Sequence, residues 1–217
     1  MTRWAVLDAI PEEQRHLVLR TMVRRRYRRG AVVFDAGDLA DGLHLVDKGR
    51  LVVRVTTPAG DVVTLNVLGP GDCFGELALV IPGRRRTATI EALEPVETML
   101  LSAPAFTDLV TRHPAIQGVL VQLLAGQVAR LSSRVVEALY TPAEVRVLRR
   151  VAELAVTFGG TAPVDIPLTQ EALATMAGTT RPTANKALRQ AEERGHLSLR
   201  RGRVTVLDLE GLGAATS

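Results

Sequence analysis

The chain is 217 residues long, the length of one large or two ordinary domains, and 47% of its residues are hydrophobic, enough for real cores. Its formal charge of +4 permits a polyanionic partner without demanding one. Cys73 is the only cysteine, which excludes intramolecular disulfides, thiolate zinc sites and multi-cysteine iron–sulfur clusters and suits a reducing interior.

The N-terminal MTRWAVLDAIPEEQR acquires acids and a proline before an apolar h-region can form, and no apolar run along the chain reaches membrane-spanning length. The expected location is therefore cytoplasmic, with no membrane partner. Leu7 to Val23 has helical spacing, with Pro11-Glu12-Glu13 as its start. After it come short β-type runs punctuated by Gly30, Gly37, Gly42, Gly49, Gly60, Gly69, Gly71 and Gly83, a rhythm that predicts an antiparallel sandwich or barrel. Lys48-Gly49 and Pro58-Ala59-Gly60-Asp61 read as hairpin turns, with Leu51, Val53 and Val55 alternating against Val52, Arg54 and Thr56. The β region closes near Leu101, and Ser102 with Pro104 caps a short helix that ends before His113-Pro114.

Within the β region, the stretch GDCFGELALVIPGRRRTATIEAL, from Gly71 to Leu93, carries the chemistry. Gly75 lets the backbone turn closely, and Glu76 to Leu79 make one helical turn whose N–H groups attract an anion. Arg86 follows ten residues after Glu76, a loop long enough to return its guanidinium to the same anion, and Thr87 adds a hydroxyl donor beside it. A carboxylate such as Glu76 is a poor phosphate neighbour but a good acceptor for a sugar hydroxyl. The constellation therefore reads as a pocket for a phosphate joined to a ribose. Two plainer readings compete: a solvated turn of Arg84, Arg85 and Arg86, and a structural ion pair between Glu76 and Arg86.

A long helix follows from about Ala115 to Leu139. Val121, Val128 and Val135 recur every seven residues, and Leu124, Leu131 and Ala138 follow each by three. This register predicts a parallel two-stranded coiled coil and hence a homodimer, the alternative being an amphipathic helix packed on its own domain. Leu120 and Leu123 form a second stripe that can meet the β region. Thr141-Pro142-Ala143-Glu144 then restarts the chain with a capping threonine, a first-turn proline and a carboxylate, marking a domain boundary. A helix from Val145 to Val156 and a loop from Phe158 to Pro167 come next. Thr169 caps a short helix through Met176, Ala177-Gly178-Thr179 makes a turn, and Thr180 caps a second helix that stops at Gly195. Ala174 lets the two helices approach and Gly178 permits the tight turn, so the pair reads as a helix-turn-helix or as a generic helical hairpin, and the basic residues of the second helix and the segment after it favour the first. Leu197 to Leu207, folded about Arg200-Arg201-Gly202-Arg203, is its basic wing. Thr169, Thr180, Arg181, Thr183, Asn185, Lys186, Arg189, Arg201 and Arg203 make the candidate DNA-contacting set. Arg181, Thr183, Asn185 and Lys186 lie where base edges are reached, and Arg189 and the wing arginines suit phosphates.

The run FGELAL, the gap, and RTAT followed by an apolar strand resemble the phosphate-binding cassette of cyclic-nucleotide-binding domains. The order of cassette, long helix and winged helix-turn-helix resembles the Crp/Fnr family of bacterial transcription regulators over nearly the whole chain. That resemblance implies an α+β fold: an N-terminal cyclic-nucleotide-binding β-barrel (double-stranded β-helix or jelly roll) over 1–114, a dimerisation helix and hinge over 115–140, and a C-terminal winged helix-turn-helix over 141–217. It places a cyclic nucleotide, cAMP or cGMP, at Phe74, Gly75, Glu76, Leu77, Ala78, Arg86 and Thr87. It also implies a homodimer joined along Val121, Leu124, Val128, Leu131, Val135 and Ala138, a palindromic double-stranded DNA target, contact with RNA polymerase, and no enzymatic activity.

The chain departs from the family at several positions. The threonine and serine that hold adenine in the family's cyclic-AMP receptors fall on Leu131 and Ser132, so the threonine is missing, and Ser133 substitutes only if the helix register shifts. Pro182 stands where a base-reading glutamate is frequent, and Lys186 where an arginine is. A proline cannot accept from cytosine N4, so the operator should differ. No metal, haem or iron–sulfur cluster is expected, since His16, His44, His113 and His196 are scattered and the cysteine is single. A cupin enzyme would need clustered histidines where the β region holds only His44. A regulatory subunit acting through protein contacts would leave the basic wing without a purpose. A regulator with a different ligand, or none, is the remaining alternative.

Overall fold

The computed structural model describes residues 2–81, 83 and 85–214, so Arg84 of the arginine turn lies outside the described residues. The described residues form two compact units, one drawn from 1–55 and 68–130, the other from 56–67 and the chain after residue 130.

The first unit opens with two short helices, α1 (Ala5–Asp8) and α2 (Glu12–Thr21), in place of the single helix predicted from Leu7 to Val23. Pro11, extended at ψ 143° and lacking an N–H to continue a helical ladder, separates them. Val23 already belongs to β1 (Val23–Tyr27), where it pairs with Leu100. In chain order there follow β2 (Val32–Phe34), β3 (Gly42–Lys48), β4 (Leu51–Thr56), β5 (Val62–Leu68, which apart from Leu68 belongs to the second unit), β6 (Cys73–Phe74), the single turn α3 (Leu77–Val80), β7 (Thr89–Ala92) and β8 (Val96–Ser102). They make two four-stranded sheets in the orders β1-β8-β3-β6 and β2-β7-β4-β5, the antiparallel architecture that the glycine rhythm predicts.

Pro58-Ala59-Gly60-Asp61 turns the β4–β5 hairpin, where Thr57 N–H donates to Asp61 O at 2.8 Å. Lys48-Gly49 is no hairpin. Because β3 and β4 lie in different sheets, that turn carries the chain from one sheet to the other. The predicted alternation along β4 also fails, since Leu51 and Val52 are both buried and Val53 to Val55 are half-buried. A strand covered on both faces at one end buries consecutive residues there.

Two apolar clusters hold this unit. One, between the sheets, gathers Val46, Leu51, Phe74, Ile90, Ala92 and Val96. The other brings Trp4, Leu7, Ile10, Leu43 and Leu101 against Phe106 of α4 (Ala103–Arg112) and Ile116 and Leu120 of α5 (Ala115–Tyr140). Ser102 caps α4 as expected, its Oγ accepting from Ala105 N–H at 3.4 Å. Leu123 joins Leu120 on the same cluster, so the second stripe of the long helix does meet the β region. Each such fully buried leucine or isoleucine contributes about 1.5–3 kcal/mol, which fixes the first half of α5.

The helix α5 has 26 residues and is long and apolar enough to cross a membrane by length and composition alone, a correction to the expectation that no such run exists. The apolarity resides in the heptad positions. Val121, Val128, Leu131 and Val135 are 65%, 62%, 58% and 60% exposed in the single chain. Leu124 is half-buried and Ala138 exposed.

The second unit contains α6 (Ala143–Thr157), β9 (Val164–Ile166), α7 (Gln170–Met176), α8 (Arg181–Glu193), β10 (Leu197–Arg200), β11 (Arg203–Val206) and α9 (Leu209–Ala214). Thr141 does not cap α6 as predicted. Pro142 holds the N-cap position, and Thr141 N–H donates back to Glu137 O at 2.9 Å, prolonging the hydrogen bonding of α5. The loop expected from Phe158 to Pro167 contains β9, third strand of a sheet ordered β10-β11-β9. Thr169 does cap α7, its hydroxyl accepting from Ala172 N–H at 3.1 Å, a contribution of about 1 kcal/mol. Thr180 occupies the N-cap position of α8, but its hydroxyl meets that of Thr183 at 3.0 Å and caps no backbone N–H. Between α7 and α8, Gly178 takes φ +61°, a left-handed turn that glycine adopts without strain, and buried Ala174, Ala184 and Ala187 let the helices close.

Candidate functional site

In the first unit the chemistry converges on Arg86. Gly75, just past β6, has φ +89°, and a Cβ there would lie 2.2 Å from Arg86 Nη1, so only glycine admits the guanidinium. Arg86 is 3% exposed. Its Nη1 donates to Gly75 O at 3.0 Å, and its Nη2 donates to Gly42 O at 2.9 Å and to the Asp41 carboxylate. The Phe34 ring lies 4.0 Å from the guanidinium carbon, within cation–π range. Arg86 Nε is buried without a hydrogen-bond partner among the described residues.

The counter-ion of Arg86 is thus Asp41 rather than Glu76, which disposes of the Glu76–Arg86 ion pair. Glu76, itself buried, accepts from Gln127 Nε2 of α5 at 3.1 Å. The expected turn from Glu76 to Leu79 forms, with Leu79 N–H donating to Glu76 O at 2.9 Å. Ala78 is buried, Leu77 half-buried and Thr87 exposed. Arg85 is exposed but donates to Gly37 O at 2.7 Å, so it is not simply solvated.

Phe74 lines the same region and stacks on His44, with ring centroids 4.8 Å apart and planes 11° apart. His44 Nδ1 shares a hydrogen bond of 3.3 Å with Thr98 Oγ1, and Nε2 stands 3.6 Å from Asp41 Oδ1. Burial pushes His44 down to about 4 against the pull of Asp41, so the ring is neutral at ordinary pH. Burial acts the other way on Asp41, but His44 and Arg86 outweigh it and hold that carboxyl below its ordinary value. Burial, with Glu76 and Asp72, pushes Cys73 up to about 12, which keeps it a thiol.

Leu131 and Ser132 are exposed, on the stretch of α5 that belongs to the second unit. The α5 side chain that reaches the Arg86 region is Gln127, one helical turn earlier. Sequence reasoning does not single out Gln127, Asp41 or Phe34. The available signals are the i, i+4 relation of Gln127 to Leu131 and the short run ADGLHLV ahead of the first sheet crossing.

In the second unit, Arg181 opens α8, exposed and with no ion pair among the described residues. Thr183 is half-buried. Asn185 Nδ2 donates to Gln170 Oε1 at 2.7 Å and ties α8 to α7, so its amide serves the helix pair. Lys186 meets Glu144 at 3.4 Å, and Arg189 meets Glu192 at 3.1 Å. Arg201 is exposed in the β10–β11 turn, while Arg203 pairs with Asp165 at 2.5 Å. Arg146, unmarked by the sequence, braces the turn of the helix pair. Its Nε donates to Ala177 O at 2.8 Å, its Nη2 to Gly178 O at 3.0 Å and its Nη1 to Thr141 O at 2.7 Å. Arg181 at the start of α8 and Arg200 and Arg201 in the hairpin are exposed cations, the kind of group that meets nucleic-acid phosphates and base edges.

Residues 24–113 match the family model of the cyclic nucleotide-binding domain, and residues 145–215 that of the Crp-like helix-turn-helix domain. The chain is 30% identical over 190 residues to the CRP-like cAMP-activated global transcriptional regulator of Mycobacterium tuberculosis, covering 86% of this chain and 84% of that protein. The chain belongs to the Crp/Fnr family. A second relative, the cyclic AMP receptor protein of Thermus thermophilus, is 31% identical over 201 residues, 93% of this chain and 91% of its own. The crystal structure of Thermus thermophilus catabolite activator protein covers 98% of this chain and 100% of its own with a TM-score of 0.56 at 29% identity. A transcriptional regulator of the Crp/Fnr family from Eubacterium rectale shares the fold, with a TM-score of 0.76 at 20% identity over 97% of each chain. This Crp/Fnr member is a DNA-binding transcription regulator that carries a cyclic nucleotide-binding domain.

Proposed function

We propose that the protein is a homodimeric, cytoplasmic regulator that binds palindromic DNA under the control of a cyclic nucleotide, with cAMP first among the candidates because relatives bear that name. The observation that carries the reading is the buried Arg86, whose orphaned Nε and glycine-admitted fork suit an oxyanion richer in acceptors than a carboxylate. The phosphate would be held by Arg86, Thr87 and the N–H groups after Gly75, and the ribose hydroxyl by Glu76. Phe74, Leu77 and Ala78 would supply the apolar wall. Leu131 and Ser132 would stand at the base, where the leucine offers no hydroxyl, so adenine and guanine should be poorly distinguished.

Dimerisation along Val121, Leu124, Val128, Leu131, Val135 and Ala138 would cover valines and leucines that a single chain leaves in water. Arg181 is the foremost candidate for base reading, being exposed and without an ion pair among the described residues; Thr183 and Lys186 are the next, and Arg189, Arg201 and Arg203 would hold phosphates, with Thr169, Thr180 and Asn185 setting the pose of the helices. RNA polymerase is the expected protein partner. Calorimetry of the purified protein with cAMP and cGMP, joined to footprinting with and without the bound nucleotide, tests the whole reading. Binding of neither nucleotide would remove the cyclic-nucleotide control and leave a DNA-binding regulator with a different ligand or none.

A further inference from the structure

We infer that Asp41 is a built-in competitor of the ligand phosphate, holding the Arg86 fork until a ligand displaces it. The inference rests on the reading of Arg86 as the phosphate contact. A guanidinium offers five N–H donors, and its two terminal nitrogens form the edge on which an oxyanion docks with two parallel bonds. Here Nη1 is taken by Gly75 O, and Nη2 by Gly42 O and Asp41. Protein acceptors fill that edge.

The two partners are unequally fixed. The Arg86 side chain is 1% exposed and the Asp41 side chain 57% exposed. Arg86 is held by the backbone carbonyls of Gly75 and Gly42 and by the Phe34 ring, whereas the Asp41 carboxylate can swing into water. Exchange at the fork therefore moves Asp41. The incoming phosphate breaks one ion pair and then lies near a carboxylate of like charge, with no relief from His44, whose ring is neutral. In return it can satisfy Arg86 Nε, which Asp41 leaves without a partner.

Competition of this kind sets specificity. A simple anion gains only the fork and must still expel Asp41. A cyclic nucleotide adds a sugar hydroxyl on Glu76 and an apolar base, and so can outbid the carboxylate where inorganic phosphate cannot. Asp41 lies forty-five residues from Arg86 in the chain and is itself no part of the glycine-led cassette.

The test is calorimetric titration of cAMP into the full-length wild type, Asp41→Asn and Asp41→Ala, each checked for a cooperative thermal transition, and repeated with inorganic phosphate present. Removing the competing charge should tighten cAMP binding by about tenfold or more in both variants, the change produced by one charged hydrogen bond. Inorganic phosphate should compete with cAMP more strongly in the variants than in the wild type. Equal or weaker cAMP binding by whichever variant folds, against a wild type that does bind, overturns the inference and makes Asp41 an orienting partner of Arg86. If neither wild type nor variants bind cAMP or cGMP, the phosphate reading of Arg86 falls and the inference with it.

Discussion

Arg86 buries its guanidinium at 3% exposure, which a protein tolerates only when acceptors surround the group. Those acceptors are two backbone carbonyls and Asp41, so Arg86→Ala removes a cation without stranding another buried charge, because Asp41 is half in water. The variant should fold and should bind cyclic nucleotide more weakly by about 2 kcal/mol or more, read by calorimetry. Unchanged affinity would detach Arg86 from the ligand. His44 makes a second prediction at the same scale. Burial lowers it from 6.5 to about 4, so the unfolded chain takes up a proton at a pH where the folded protein does not. Stability should therefore be complete above the unfolded value and fall as pH drops from about 6.5 toward about 4, by roughly 1.4 kcal/mol per unit. Urea unfolding at about pH 7 and about pH 5 should show a shallower loss for His44→Gln than for the wild type. The same loss in both proteins would assign the acid sensitivity to other groups.

Among the elements, α5 is the one whose sequence pattern and surface agree most directly. The heptad places Val128 mid-seam, and in one chain that side chain is 62% exposed, so a charge there does no harm to the protomer itself. In a parallel dimer the same charge faces its own symmetry mate and is buried unpaired, at a cost of several kcal/mol. Val128→Glu should thus yield folded monomers by sedimentation, whereas a wild type that is monomeric at micromolar concentration would remove the dimer. Local periodicity made α5, α7 and α8 legible, and the cap at Thr169 with them, because helices are written in neighbours three and four residues apart. Pairing across the β region was not legible in the same way. β3 finds its partner in β8, some fifty residues on, so Lys48-Gly49 looks like a hairpin turn until the sheets are known. The site divides along the same line: Gly75, Glu76 and Arg86 sit in one loop and were readable, while Asp41 and Gln127 arrive from distant elements and were not.

For the whole molecule the decisive quantity is how two copies meet DNA. If a dimer axis relates two α8 helices, both must enter successive major grooves on one face, so the target should be a palindrome whose half-sites lie about 34 Å, or one helical turn, apart. Within each half-site Arg181 is the long exposed fork at the start of α8, while Asn185 is committed to Gln170 and Lys186 already has Glu144 for company. Arg181→Ala should cost about 1–3 kcal/mol on the specific site and relax the preference at one base pair per half-site. Arg201, exposed in the hairpin turn, has only the backbone to meet. Arg201→Ala should weaken every sequence alike and lower the slope of log affinity against log salt by about one phosphate contact. Footprinting and salt titration of both variants separate these roles. Equal losses on operator and random DNA for Arg181→Ala would make Arg181 a phosphate clamp, and base reading would pass to Lys186, freed from Glu144 by the competing charge of the DNA.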